Sequence, residues 1–125
     1  MKQKILIAED DVFLSKIYKI HLKDEFRLII AKDGEEAIAK IKSSKPDLII
    51  LDIVMPKKSG IEVIEEIKND PETKDIPIIV ISNLGQDNDV QKALDLGAND
   101  YLIKAQISFD DAFSKVKALL KASSS

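Results

Sequence analysis

The chain contains no cysteine. Disulfides, a thiolate zinc site and a cysteine nucleophile are therefore excluded, while the compartment is left open. Histidine is almost as scarce, with His21 alone. No apolar run approaches the roughly 20 residues needed to cross a bilayer as a helix. Glycine-rich phosphate loops are missing after the strand-like segments, which argues against a flavin or nucleotide binder. Charge of one sign is lacking too: 19 basic and 22 acidic residues leave a net charge of −3, too mild for a nucleic-acid surface. Met1-Lys2-Gln3-Lys4 leads straight into a strand-like run and does not look like a secretory leader. What is present suits one globular domain: 125 residues, 45% hydrophobic and 33% charged, enough to bury a core without crosslinks. The expectation is a cytoplasmic protein with neither membrane nor direct nucleic-acid contact.

Short apolar runs alternate with segments of helical period. Ile5–Ala8, Leu28–Ala31, Leu48–Leu51, Ile78–Ile81 and Tyr101–Ile103 read as strands covered on both faces. Between them lie five amphipathic stripes. The first is Phe13, Ile17 and Ile20, widened by Leu14 and Tyr18. The second and third, Ala37-Ile38-Ile41 and Ile61-Ile64-Ile67, follow the N-cap candidates Asp33 and Ser59, each with Glu three residues on. The fourth, Val90-Ala93-Leu94, ends at Gly97, and the fifth, Phe109-Phe113-Val116-Leu120, follows Ser108. Five βα repeats predict an α/β fold, a five-stranded parallel sheet with helices on both faces. The domain is placed at residues 1–122, with a disordered tail at 123–125. The loop 69–75 reads as polar and exposed.

Four of the five strands end in a residue with chemistry: Glu9-Asp10-Asp11, Asp52, Ser82 and Lys104. A parallel sheet brings all carboxyl ends to one edge, where open α/β sheets build their sites. Glu9, Asp10 and Asp52 would crowd three carboxylates together, raising a pKa or forcing the loops apart unless a cation sits among them. Oxygen ligands without histidine or cysteine favour a hard ion, and few carboxylates plus waters suit Mg²⁺. A carboxylate, a hydroxyl, a lysine and Mg²⁺ together make a phosphoryl-transfer site. Asp52 is the candidate nucleophile, and Lys104 and Ser82 would stabilise the transferred oxygens. Asp11 reads as a helix cap. His21 lies on the first helix and reads as an ordinary helix residue, with the phosphodonor histidine in another chain.

These residues resemble the response-regulator receiver family over about residues 3–121. The opening Ile5-Leu6-Ile7-Ala8-Glu9-Asp10-Asp11 looks like its first strand and acidic pair. Asp52-Ile53-Val54-Met55-Pro56-Lys57-Lys58-Ser59-Gly60 fits D-x-x-M-P-x-x-x-G, and Gly97–Lys104 fits G-A-x-D-Y-L-x-K. The resemblance implies a flavodoxin-like (βα)5 fold of strand order 2-1-3-4-5 and phosphorylation of Asp52. It implies Mg²⁺ (with Mn²⁺ as a substitute) held by Glu9, Asp10, Asp52 and the backbone carbonyl of Val54. It also implies a switch pair, Ser82 and Tyr101, that biases a two-state surface built from the fourth helix, fifth strand and fifth helix. A histidine kinase or histidine phosphotransfer protein would be the donor, and an output domain or target protein the recipient. The protein would not be an enzyme beyond its own phosphorylation and dephosphorylation. The alternative is a phosphorylation-independent, receiver-like scaffold.

Two positions depart from the family pattern. Ala105 stands where proline, with a cis bond, is common. A cis bond without proline costs about 2.5–4 kcal/mol, so Lys104–Ala105 is expected to be trans. Asn83 stands where a small residue is usual, which would narrow access to the site. Val54 and Leu84, each two residues past a site residue, are apolar and unable to orient an attacking water, which implies slow self-dephosphorylation.

Overall fold

The computed structural model describes residues 2–123. Strands β1 (Lys4–Ala8), β2 (Arg27–Ala31), β3 (Leu48–Leu51), β4 (Ile78–Ser82) and β5 (Asp100–Ile103) alternate with helices α1 (Val12–Leu22), α2 (Gly34–Ser44), α3 (Gly60–Asn69), α4 (Asp87–Leu96) and α5 (Phe109–Ser123). The sheet runs β2-β1-β3-β4-β5 and every pairing is parallel, as the repeat and the resemblance lead one to expect. Of the tail expected to be disordered over 123–125, Ser123 instead closes α5, because the helical turn continues past Ala122; residues 124 and 125 lie outside the described residues.

Alternation along the strands sorts the core into two layers. Leu6, Ile49, Leu51, Ile78 and Val80 face α2, α3 and α4 through Ile41, Ile64, Ile67 and Ala93. Ile5, Ile7, Leu48, Ile50 and Ile79 face α1 and α5 through Tyr18, Leu22, Phe113 and Val116. Each such side chain contributes about 1.5–3 kcal/mol when fully buried. The outer edge of β2 is protected in part by Lys40, whose ammonium donates to the Ile30 carbonyl at 2.7 Å.

The expected caps are present. Asp11 Oδ1 accepts from the amides of Phe13 and Leu14 at 2.9 and 3.3 Å. Asp33 accepts from Glu36, Ser108 from Asp111, and Ser59 forms a full capping box with Glu62. Gly97 closes α4 at φ 117°, a left-handed conformation that favours glycine.

Two expectations need correction. On α1 the buried residues are Ser15, Tyr18 and Leu22, whereas Phe13 and Ile20 of the expected core stripe are 70% and 67% exposed. Helical period identifies an apolar stripe but not which way it faces, and here the sheet takes the neighbouring stripe. In the loop 69–75, Thr73 is buried and its hydroxyl donates to the Ile67 carbonyl at 2.8 Å, tying the loop to the end of α3.

The reassignment of α1 predicts a contrast in urea denaturation. Ile20→Ser should change stability by less than about 0.5 kcal/mol, while Leu22→Ala should cost about 2–5 kcal/mol. Similar losses for the two would restore the Phe13-Ile17-Ile20 stripe to the core.

Candidate functional site

The backbone carries the acids to their places before any side chain is considered. The ladder continues past the strand ends, with Glu9 N–H donating to the Ala31 carbonyl at 3.0 Å and Asp52 N–H to the Ala8 carbonyl at 3.1 Å. Glu9 and Asp52 are thereby set side by side and buried, at 3% and 7% exposure, while Asp10 next to them is exposed. Gly60 is required just behind: a Cβ there would lie 2.3 Å from the Asp52 carbonyl oxygen, and the Gly60 amide donates to the Ile53 carbonyl.

Lys104, from the far end of β5, completes the pocket. Its ammonium lies 2.9 Å from Glu9 Oε1 and 2.9 Å from Asp52 Oδ2. The other Asp52 oxygen accepts from the Val54 amide at 3.2 Å, and the other Glu9 oxygen from the Asp11 amide at 3.2 Å. Ligand oxygens of Glu9, Asp10 and Asp52 come within 4.8 Å of one another, close enough to share one ion. That donor set, all carboxylate, fits a hard divalent cation.

The charges in this pocket are not fully balanced. Burial pushes the Glu9 carboxyl up to about 7; the Lys104 hydrogen bond opposes this and the Asp52 charge adds to it. Burial also works against the Lys104 charge, but hydrogen bonds with Asp52 and Glu9 outweigh it and hold the ammonium above its usual range. Of the crowding expected among three carboxylates, the Asp52 charge is the part felt at Glu9, behind the larger effect of burial. Tyr18, a stripe residue in the sequence, proves to be buried beneath the site, its hydroxyl raised by burial and then by the Glu9 and Asp52 charges.

Ser82 is fully buried at the end of β4. Its Oγ accepts from the Leu84 amide at 3.3 Å, and the Leu84 carbonyl accepts from the Tyr101 hydroxyl at 2.5 Å. One residue's backbone therefore joins the two residues expected to act as a switch. Sequence reasoning had no signal for this link, because Leu84 contributes its main chain. Val54 and Leu84 both reach solvent, at 60% and 36% exposure. Asn83 is exposed at the same rim. No described peptide bond is cis, so Lys104–Ala105 is trans, as expected, and the chain continues as a 3₁₀ turn over Lys104–Gln106. A second feature without sequence warning is Lys57, at φ 70° in a tight turn closed by Lys58 N–H to the Pro56 carbonyl. His21 is exposed and lies against Phe113, with ring centroids 5.0 Å apart, away from the carboxylates.

Fold and site define a class: a doubly wound parallel α/β domain with an acidic pocket and one lysine at the carboxyl edge of its sheet. The chain matches the response regulator receiver domain over residues 5–117 and belongs to that family. It is 35% identical over 124 residues to the alkaline phosphatase synthesis transcriptional regulatory protein PhoP of Bacillus subtilis, covering 98% of this chain and 50% of that protein. Among solved structures it resembles the Mn²⁺-bound form of response regulator Rcp1, with TM-score 0.80 and 34% identity over 94% of this chain and 91% of that one. It also resembles the BeF3-activated N-terminal receiver domain of Klebsiella pneumoniae RstA, with TM-score 0.85 and 26% identity over 94% and 97% of the two chains. The chain spans about half the length of the curated relatives it matches. It is a signalling domain of the receiver type. No helix among the described residues is long and apolar enough to cross a membrane.

The raised Glu9 group makes a pH prediction. Between the ordinary value of 4.5 and about 7 this carboxyl holds more proton in the folded protein than in the unfolded chain, so its contribution to stability falls as pH rises through that window. Urea titrations in chelator should show this fall in the wild type and a flatter profile in Glu9→Gln. Equal slopes would contradict the assignment.

Proposed function

We propose that Asp52 accepts a phosphoryl group from a histidine kinase or histidine phosphotransfer protein. The observation that carries this reading is the placement of Asp52: buried at the end of the middle strand, one oxygen on Lys104 and the other on the Val54 amide. In the transfer the N–P bond of the donor's phosphohistidine breaks as an Asp52 O–P bond forms, and the nitrogen keeps the electron pair. Glu9, Asp10, Asp52 and the Val54 carbonyl would hold Mg²⁺, or Mn²⁺ in its place. When bound, that ion neutralises charge on the transferred oxygens. Lys104, which follows β5, supplies a second positive charge, and the Ser82 hydroxyl, once turned from Leu84, donates to a phosphoryl oxygen.

The same movement gives a readout. Drawing Ser82 toward the phosphoryl group releases the Leu84 amide, and Leu84 is also the acceptor for Tyr101. Tyr101 therefore reports the charge at Asp52 to the surface formed by α4, β5 and α5, where an output domain or target protein would read it. The donor must approach the rim itself. Val12, Phe13, Ile20 and Phe109 are exposed apolar residues on α1 and at the start of α5, a patch suited to covering by a partner protein. The reading places the protein in the cytoplasm with no membrane or direct nucleic-acid contact, and limits its catalysis to its own phosphorylation and dephosphorylation.

Treatment with acetyl phosphate and Mg²⁺, followed by intact mass, should give a phosphoryl adduct on the wild type and none on Asp52→Asn or without metal. An adduct that persists in Asp52→Asn would refute the acceptor; no adduct on any form would favour the scaffold reading. Because Val54 and Leu84 rim the pocket without polar atoms in their side chains, the adduct should decay slowly. Replacing both with glutamine should accelerate decay, and an unchanged rate would remove that explanation of lifetime.

A further inference from the structure

We propose that the trough between the end of α1 and the start of β2 is a docking site for an acidic segment of another protein. It is an open groove of about 640 Å³ lined by Lys2, Lys19, Lys23, Phe26, Arg27 and Leu28. All its charged residues are cations, in a chain whose net charge is −3. A concave surface lined by one sign of charge focuses the field and draws in the opposite sign.

The cations there are available. Lys19 and Lys23, four residues apart, lie on one flank of α1, and both are exposed, as are Lys2 and Arg27. None of these four makes an ion pair among the described residues, whereas Lys40, Lys45, Lys57, Lys58, Lys104 and Lys117 each reach a carboxylate. The Lys2 ammonium donates to the Lys23 carbonyl at 3.4 Å. Of the two acids in the adjoining turn, Asp24 and Glu25, the second is engaged by Lys117 at 2.8 Å.

The shape selects the partner. Phe26 is 8% exposed, so its ring is closed to the base stacking that single-stranded nucleic acid uses. A trough also suits a peptide better than a lipid surface, which meets convex, protruding groups. Its apolar floor of Phe26 and half-buried Leu28 calls for an apolar side chain among the acids. The groove is centred on the opposite end of the sheet from the phosphoryl site, although Lys19 also lines the pocket that reaches Glu9 and Asp10. Lys4 and Arg27 pair at the opening of their strands, and a five-residue strand such as β1 separates that end from the carboxyl edge by about 17 Å.

The test is a titration of the full chain, labelled with ¹⁵N, with a synthetic peptide of glutamates interrupted by leucines, and with a glutamine-for-glutamate control. Saturable shifts should centre on Lys19, Lys23, Phe26, Arg27 and Leu28, be absent with the control, and weaken between about 50 and 300 mM salt. Lys19→Glu/Lys23→Glu should lower affinity by about tenfold or more, leave acetyl phosphate labelling of Asp52 intact, and differ from Lys92→Glu/Lys115→Glu, which should bind as wild type. Shifts spread evenly over surface lysines, equal loss in both double variants, or tighter binding of an oligonucleotide or anionic vesicle in the same groove would overturn the proposal. Should a variant fail to fold, the wild-type shift map decides alone.

Discussion

One ammonium group bridges two carboxylates that begin on different strands. Lys104 lies 2.9 Å from both Glu9 and Asp52, and neither acid would tolerate burial as an ion without such a counter-charge. The sheet order makes the bridge possible. Lys104 follows β5, Asp52 follows β3, and between them β4 ends in the small, buried Ser82, over which the lysine stem can reach. The compensation is incomplete, since Glu9 is held near neutral pH by burial. A pocket with one cation and a surplus of carboxylate oxygen is suited to taking a second cation, and a phosphoryl group after it.

Much of this was legible before any coordinates. The five apolar runs and their caps located the elements, and the rule that carboxyl ends share an edge gathered Glu9, Asp10, Asp52, Ser82 and Lys104. What escaped had physical causes. Phe13 and Ile20 belong to a regular stripe, but the core took the adjacent face of α1, and period alone carries no direction. Thr73 sits in a polar-looking loop, yet its hydroxyl is spent on a main-chain carbonyl in the interior. Leu84 joins Ser82 to Tyr101 through its peptide groups, and side-chain identity says nothing about main-chain hydrogen bonds. Lys57 adopts a positive φ that neither a glycine nor an asparagine announces.

Helix α1 divides its surface among three tasks. Ser15, Tyr18 and Leu22 anchor it to the sheet, Phe13 and Ile20 face solvent, and Lys16, Lys19 and Lys23 form the cationic flank toward β2.

The central claim is that distant residues share one metal and one phosphorus at a single rim. Paramagnetic broadening of amide signals by Mn²⁺ tests it most directly. Broadening should concentrate on residues 9–11, 52–54, 83–84 and 104–105 and vanish in the Asp10→Asn/Asp52→Asn variant. Broadening that centres on the amino-terminal ends of the strands, or survives in that variant, would contradict the account.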